Sequence, residues 1–350
     1  MPDPITPPRS LCIVRLSAIG DTCHVVPIVR TLQRAWPQTR ITWVIGRVEA
    51  RLLGLLPGVE FITVDKRAGA RALAGLRAAL RGREFDVLLH MQLALRASLL
   101  SLAIRARRRI GFDRARAREL QWLFTNERIA ARRDEHVQDS FFGFSDALGL
   151  TRRELDWQLP LPEEALAYAA RLVPDAQPTL VVSPCSSHAL RNWSVERYAA
   201  VIRHAVQRHA MRVILCGSPS DYERDFAARI AAAAAVPLLN QVGQDTLPQL
   251  LALLGRATAL LTPDSGPAHM GTLAGVPVIG LYAATRLARS GPYRSREWCV
   301  DAYSDAALRF RGRPAEDLAW TEKIEEPGVM DLIDVAAVTG RLDALLASRR

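Results

Sequence analysis

The chain has 350 residues, 49% hydrophobic and 23% charged, with a formal net charge of +10. Two domains are expected from that length, and the balance of apolar and charged residues excludes a disordered chain. Five scattered cysteines without CxxC spacing argue for a reducing compartment and against a disulfide framework or a thiolate metal site. The four prolines of residues 1–8 have no apolar core of a secretory leader beside them, and no apolar run reaches the roughly 18 residues of a membrane span, so a cytoplasmic protein is expected.

Short apolar runs alternate with helical patterns through the first half. Strands are expected at Leu11–Leu16, Ile41–Ile45, Phe61–Val64 and Asp86–His90, and helices over Cys23–Ala35, Glu49–Leu56, Ala68–Arg81 and Leu93–Ile104. Residues 130–150 read as helical, with Phe141, Phe142 and Phe144 as a core face. The proline-rich stretch Leu159–Pro178, around a short helix Glu163–Leu172, reads as the inter-domain linker. A second series follows: strands at Thr179–Ser183, Arg212–Cys216, Leu238–Asn240, Ala257–Leu261 and Val276–Leu281, and helices over Val195–His209 (capped by Ser194), Asp221–Ala235, Leu247–Leu254 and Ala268–Ala274, with a last one over Met330–Leu346. Both series predict βαβ units on a parallel sheet, an α/β protein of two Rossmann-like halves.

Most of the excess charge is arginine in the first half, in the clusters Arg105, Arg107, Arg108, Arg109 and Arg114, Arg116, Arg118. Such a surface attracts an acidic substrate or anionic lipid head groups. Nucleic acid is not expected, because no helix-turn-helix, zinc finger or aromatic-studded basic strand accompanies the charge.

Two glycine-marked turns carry the chemistry. In parallel α/β sheets ligands gather beyond the carboxyl ends of the strands. After the first strand comes Ser17-Ala18-Ile19-Gly20-Asp21-Thr22-Cys23-His24, where Gly20 permits close approach and Asp21 is either a helix cap or a general base. His24, three residues on, either orients Asp21 or is an ordinary helix residue. In the second half, Ser183-Pro184-Cys185-Ser186-Ser187-His188 leads through Arg191 to a capped helix, a combination of hydroxyls, guanidinium and amides suited to phosphate. Thr262-Pro263-Asp264-Ser265-Gly266-Pro267-Ala268-His269 adds a helix start, a carboxylate for a sugar hydroxyl and an imidazole donor. There is no GxGxxG, Walker A loop, nucleophile elbow or HExxH, so neither a dinucleotide nor a metal site is expected.

The run Ile13-Val14-Arg15-Leu16-Ser17-Ala18-Ile19-Gly20-Asp21 resembles the opening of the ADP-heptose:lipopolysaccharide heptosyltransferases, glycosyltransferase family 9. Pro263-Asp264-Ser265-Gly266-Pro267-Ala268-His269, followed by Ala274-Gly275-Val276-Pro277-Val278-Ile279-Gly280-Leu281-Tyr282, resembles that family's donor motif. The section from Arg109-Ile110-Gly111-Phe112 to Trp122-Leu123-Phe124-Thr125-Asn126 is similar as well, and the likeness runs over residues 9–345. It implies a GT-B fold, two Rossmann-like domains facing across a cleft: residues 9–160 for the acceptor, 178–328 for the nucleotide sugar, and a final segment, 329–350, packing back on the first domain. It implies transfer of heptose from ADP-heptose to the inner core of lipopolysaccharide with inversion, and no metal or other cofactor. Asp21 falls on the base. Ser186, Ser187, Arg191 (usually lysine), Asp264, Ser265, Gly266 and His269 fall on the donor side. Gly20, His24, Lys66, Arg67, Arg96 and Arg118 fall on the acceptor side. The loop Arg286–Tyr293 departs from the family's pattern. A phosphorylated, lipid-linked acceptor implies a peripheral enzyme on the inner face of the cytoplasmic membrane. Alternatives are another nucleotide sugar, a nucleotide-sugar epimerase, or a non-catalytic glycolipid-binding protein.

Overall fold

The computed structural model of the chain describes residues 6–349, so most of the proline-rich start lies outside the described residues. Contacts divide the chain into two units, Met1–Pro160 and Leu161–Arg350.

The first unit contains strands β1 (Ser10–Val14), β2 (Arg40–Gly46), β3 (Val59–Val64), β4 (Phe85–His90), β5 (Ala106–Gly111) and β6 (Glu127–Arg128). Its helices are α1 (Ile19–Cys23), α2 (Val26–Ala35), α3 (Arg47–Leu53), α4 (Ala70–Ala79), α5 (Leu95–Ser101) and α6 (Val137–Asp146). All strand pairs are parallel, in the order β3-β2-β1-β4-β5-β6. Leu11, Cys12 and Ile13 are fully buried, the near-continuous apolar run that a sheet covered on both faces requires. The expected helix Cys23–Ala35 is two helices, because Pro27, in the first turn of α2, has no N–H for the carbonyl of Cys23. Phe141, Phe142 and Phe144 are core, as expected.

The arginine cluster at 105–109 is a correction to the sequence reading, because it forms β5. Arg109 donates to the carbonyls of Phe124, Ile104 and Ser101 at 2.7–3.0 Å, and Arg108 makes a two-bond pair with Glu127 at 2.8 Å. Guanidinium stems cover the strand while their heads find partners, so a strand can hide in a run that reads as surface charge.

The second unit holds α7 (Glu163–Leu172), β7 (Thr179–Val182), α8 (Val195–His209), β8 (Arg212–Leu215), α9 (Asp221–Ala234), β9 (Leu239–Asn240) and α10 (Leu247–Arg256). It continues with β10 (Ala259–Pro263), α11 (Gly266–Ala274), β11 (Val278–Tyr282), α12 (Leu287–Ser290), β12 (Val300–Asp301), α13 (Tyr303–Arg311) and α14 (Val335–Ala347). Its sheet is again parallel, in the order β12-β11-β10-β7-β8-β9. Read from β9, this is the order of the first sheet, and both are the doubly wound arrangement. Ser194 caps α8 by accepting from the Arg197 amide at 3.3 Å.

Two boundaries differ from expectation. The helix in the proline-rich stretch, α7, packs on α10, so the stretch after Pro160 belongs to the second unit rather than to a free linker. The final helix was expected on the first domain. Its apolar face, Val338, Leu342 and Leu345, is instead committed to the core of the second unit against α8. Asp343 on that helix accepts from His204 Nε2 at 2.7 Å and His209 Nε2 at 2.5 Å, both on α8.

One carboxyl opposes its surroundings. Asp245, before α10, has Oδ2 buried without a hydrogen-bond partner, and burial pushes its pKa up to about 7. In the unfolded chain it ionises near pH ~3.9. Its effect on stability is therefore nil below that pH and grows unfavourable as pH rises towards and through 7. Asp245→Asn should raise stability by about 1–2 kcal/mol at pH 8 and hardly at pH 4, read by urea unfolding at both. Leu342→Ala, which empties a fully buried position, should cost about 2–5 kcal/mol in the same measurement.

Candidate active site

In each sheet the strand order reverses direction between two central strands, β1 and β4 in the first unit, β7 and β10 in the second. The crevice beyond the carboxyl ends of such a pair is where a doubly wound sheet receives a ligand.

In the first unit Val14, the last residue of β1, lies opposite Val44 on one side and His90 on the other. The next residue, Arg15, is buried, donates to the Met91 carbonyl at 2.6 Å and lies over the Phe141 ring at 5.2 Å. Its other Nη pairs with the carboxylate of Asp21 on α1. That carboxylate also accepts from the Ala18 amide at 3.4 Å and stays 41% exposed, against 9% for the Arg15 side chain. Asp21 is thus aimed by a buried partner while one side remains reachable; the N-cap position is Ala18, and Asp21, three residues on, also closes the helix start by accepting from its amide.

The loops around Asp21 are latched by two glutamines. The amides of Leu16 and Ser17 donate to Gln92 Oε1 at 3.0 and 3.3 Å. Gln121, fully buried, donates to the carbonyls of His90 and Gln92 at 2.8 and 3.0 Å and accepts from the Phe112 amide at 3.1 Å. Burial, with the nearby charges of Arg109 and Arg15, pushes His90 down to about 3, so its ring is neutral; it lies 3.1 Å from Ser98 Oγ.

Gly20 is buried in α1. His24 is 3% exposed, with Nδ1 2.9 Å from Gln138 Oε1 on α6, so its imidazole is packed between α1 and α6. Lys66 donates to buried Glu49 at 2.7 Å, and Arg96 donates to the Lys66 carbonyl at 2.5 Å. The Leu95 amide donates to Glu119 at 2.5 Å, which brings the start of α5 to the loop carrying Arg118. Arg67, Arg96 and Arg118 are exposed, and all four cations sit on loops or helix starts beyond β3, β4 and β5.

In the second unit Val182 of β7 lies opposite Leu261 of β10. Beyond β7 the Ser186 amide donates to Asn192 Oδ1 at 2.7 Å and its hydroxyl to the His188 carbonyl at 2.9 Å, while Ser187 is exposed. Arg191 spans two acids: Nε and Nη2 reach Glu325 Oε1 at 2.8 and 2.6 Å, and Nη1 reaches Asp264 Oδ2 at 3.3 Å. Beyond β10, Ser265 precedes α11 with its hydroxyl 2.8 Å from Thr262 Oγ1. Gly266 opens the helix, and His269 is largely buried in its first turn.

The charges here are coupled. Burial pulls the Glu325 carboxyl upward, but the Arg191 hydrogen bond and the charges of Arg191, His188 and Lys323 outweigh it and hold the group below its usual range. Burial, then Arg191, lowers Lys323, with Glu325 and Asp264 opposing, which puts Lys323 beside the same cluster. The departing loop is tied elsewhere: Arg286 lies between the rings of Tyr303 and Trp320, at 4.5 and 5.0 Å, and donates to the Ala315 carbonyl at 2.8 Å. Arg15, Gln92, Gln121, Lys323 and Glu325 were not among the expected site residues. Arg15 stood inside the recognised motif; the others carry no local signal. Among the described residues, His204, His209 and Asp343 are the one group with metal-ligand spacing, and the hydrogen bonds between α8 and α14 account for it.

Residues 73–316 match the family described as glycosyltransferase family 9 (heptosyltransferase). The chain is 39% identical over 338 residues to the lipopolysaccharide core heptosyltransferase OpsX of Haemophilus influenzae, covering 97% of each. It is 24% identical over 294 residues to lipopolysaccharide heptosyltransferase 1 of Escherichia coli K12, covering 80% of this chain and 90% of that one. In fold it is similar to a family 9 glycosyltransferase of Veillonella parvula, with a TM-score of 0.80 at 20% identity over 97% of each chain. The expected fold, two Rossmann-like domains of the GT-B kind, agrees with that likeness and with both sheets. The chain therefore belongs to glycosyltransferase family 9, the heptosyltransferases.

Proposed function

We propose that the protein transfers a heptose from ADP-heptose to the inner core of lipopolysaccharide with inversion, Asp21 acting as base, at the cytoplasmic face of the inner membrane. The 39% identity to a lipopolysaccharide core heptosyltransferase over nearly the whole of both chains carries this reading. The Asp21–Arg15 pair and the Arg191–Asp264 contact, each at a point where the strand order reverses, support the division of roles.

In this reading an acceptor hydroxyl attacks the anomeric carbon from the face opposite ADP. The new C–O bond forms as the bond to the diphosphate breaks, and Asp21 takes the hydroxyl proton. Arg15 keeps the carboxylate oriented, so its oxygen need not reorganise at the moment of transfer. Lys66, Arg67, Arg96 and Arg118 draw a phosphorylated acceptor to the first domain. On the donor side Ser186, Ser187, Arg191, Ser265, Gly266, His269 and the first amides of α11 stabilise the departing ADP, and Asp264 holds a sugar hydroxyl. Arg191 starts tied to Glu325 and Asp264, so it exchanges carboxylate for phosphate as the donor enters.

Direct titration of ADP-heptose against UDP- and GDP-linked sugars, followed by transfer to a core acceptor, tests the reading; equal affinity for a UDP sugar would remove the heptose assignment. Asp21→Asn should lower single-turnover rates by roughly two to four orders of magnitude at unchanged Tm and donor affinity. A rate within about threefold of the parent would return Asp21 to a structural role. Asp264→Ala should weaken ADP-heptose roughly tenfold or more without weakening ADP, and His269→Ala should weaken both. Glu325→Gln, by releasing Arg191, should tighten ADP roughly two- to fivefold in calorimetry.

A further inference from the structure

Among the described residues, five of the eleven exposed large apolar side chains lie within one short part of the first domain: Leu95, Leu99, Leu102, Leu120 and Leu123, at 40–60% exposure. They fall on two segments that a hydrogen bond joins. Leu95, Leu99 and Leu102 follow the i, i+4, i+7 spacing of a single stripe along α5, whose other face buries Ala97 and Leu100. Leu120 and Leu123 lie on the following loop, which the Leu95 amide joins through Glu119 at 2.5 Å. A helix facing only water would carry polar residues along that stripe, whereas α5 reads LRASLLS, with one charge.

The surroundings are strongly cationic. Residues 65–123, the span that holds all five leucines, carry fourteen Lys and Arg against five Asp and Glu. Helix α4 packs beside α5 and exposes Arg71 and Arg77, with Arg81 just beyond it. An apolar stripe rimmed by arginines is the pattern of a helix lying in the interface of an anionic bilayer, where leucines enter the acyl boundary and guanidinium groups stay with the head groups. The same charge opposes self-association, since two copies meeting through this face would set arginines against arginines.

We infer that the α5 stripe and the loop after β5 dock the first domain on an anionic lipid surface. The inference rests on the proposed reading for its use: the patch adjoins Arg96 and Arg118, so docking would bring a lipid-linked acceptor to the loops around Asp21. No membrane-spanning helix is needed, and none of the described helices is long and apolar enough to be one.

Flotation with phosphatidylglycerol-containing vesicles and with pure phosphatidylcholine vesicles tests it. The parent should bind the first and scarcely the second, and binding should weaken as salt rises. Leu99→Asn/Leu102→Asn/Leu123→Asn should lower binding to anionic vesicles about tenfold or more. These side chains are exposed, so Tm, ADP affinity and transfer to a delipidated core acceptor should match the parent. Arg77→Glu/Arg81→Glu should lower binding comparably through charge alone. Unchanged vesicle binding in the triple variant, equal binding to both vesicle types, or a parent dimer in sedimentation velocity that the triple variant abolishes would each overturn the inference. Vesicle binding lost as expected, in a protein that transfers nothing to any acceptor, would support the docking surface and refute the proposed reaction.

Discussion

Parallel pairing with a reversal of strand order is the constraint on which the candidate site depends. Parallel strands leave the sheet at the same edge, so the loops after β1 and β4, and those after β7 and β10, must share an edge. At a reversal the two following crossovers run in opposite directions and a crevice opens. Asp21 lies at one reversal and Asp264 at the other. Neither position is explained by its own segment alone. The loop before Asp21 is held by Met91 and Gln92 after β4, 75 or 76 residues away, and Gln121 after β5 locks that loop in turn.

Burial then decides which charges are tied. Arg15 is too buried to stand without partners, and it has a carbonyl, an aromatic face and the Asp21 carboxylate. The carboxylate, much more exposed, is the half of the pair left open to chemistry. In the second domain that asymmetry is absent. The Arg191 and Asp264 side chains are only 13% and 12% exposed, and Glu325 adds a second negative charge. The resting cluster therefore compensates its own guanidinium, and Lys323 and His188 supply nearby positive charge.

Much of the fold was legible because apolar runs and turns are local. Strands β1 to β4 and β7 to β11 fall within a few residues of their expected positions. Three strands escaped: β5 hid among arginines whose partners are scattered from Ser101 to Glu127, and β6 and β12 are two-residue strands, Glu127–Arg128 and Val300–Asp301, each with a charged residue and no apolar run to mark it. The direction in which the last helix packs was also illegible, because an apolar face does not say which core receives it. The motifs around Asp21 and Asp264 were readable as turns after strands. Glu325 was not, since it meets Arg191 from 134 residues away through contacts that the local sequence does not encode.

Arginine at 191 fits this arrangement for a geometric reason. A guanidinium presents donors along a rigid fork, so Nε and Nη2 can serve Glu325 while Nη1 serves Asp264. An ammonium is a compact point charge on a flexible stem, and satisfying two acids on opposite sides of it is harder without drawing them together. Arg191 and Glu325 are therefore best understood as one unit. The wider fork tolerates a second carboxylate, and that carboxylate prevents a buried guanidinium from standing underpaired before an anion arrives. Under the proposed reaction, a diphosphate would replace the charge and acceptor oxygens of Glu325, whereas a neutral sugar would leave Arg191 where it is.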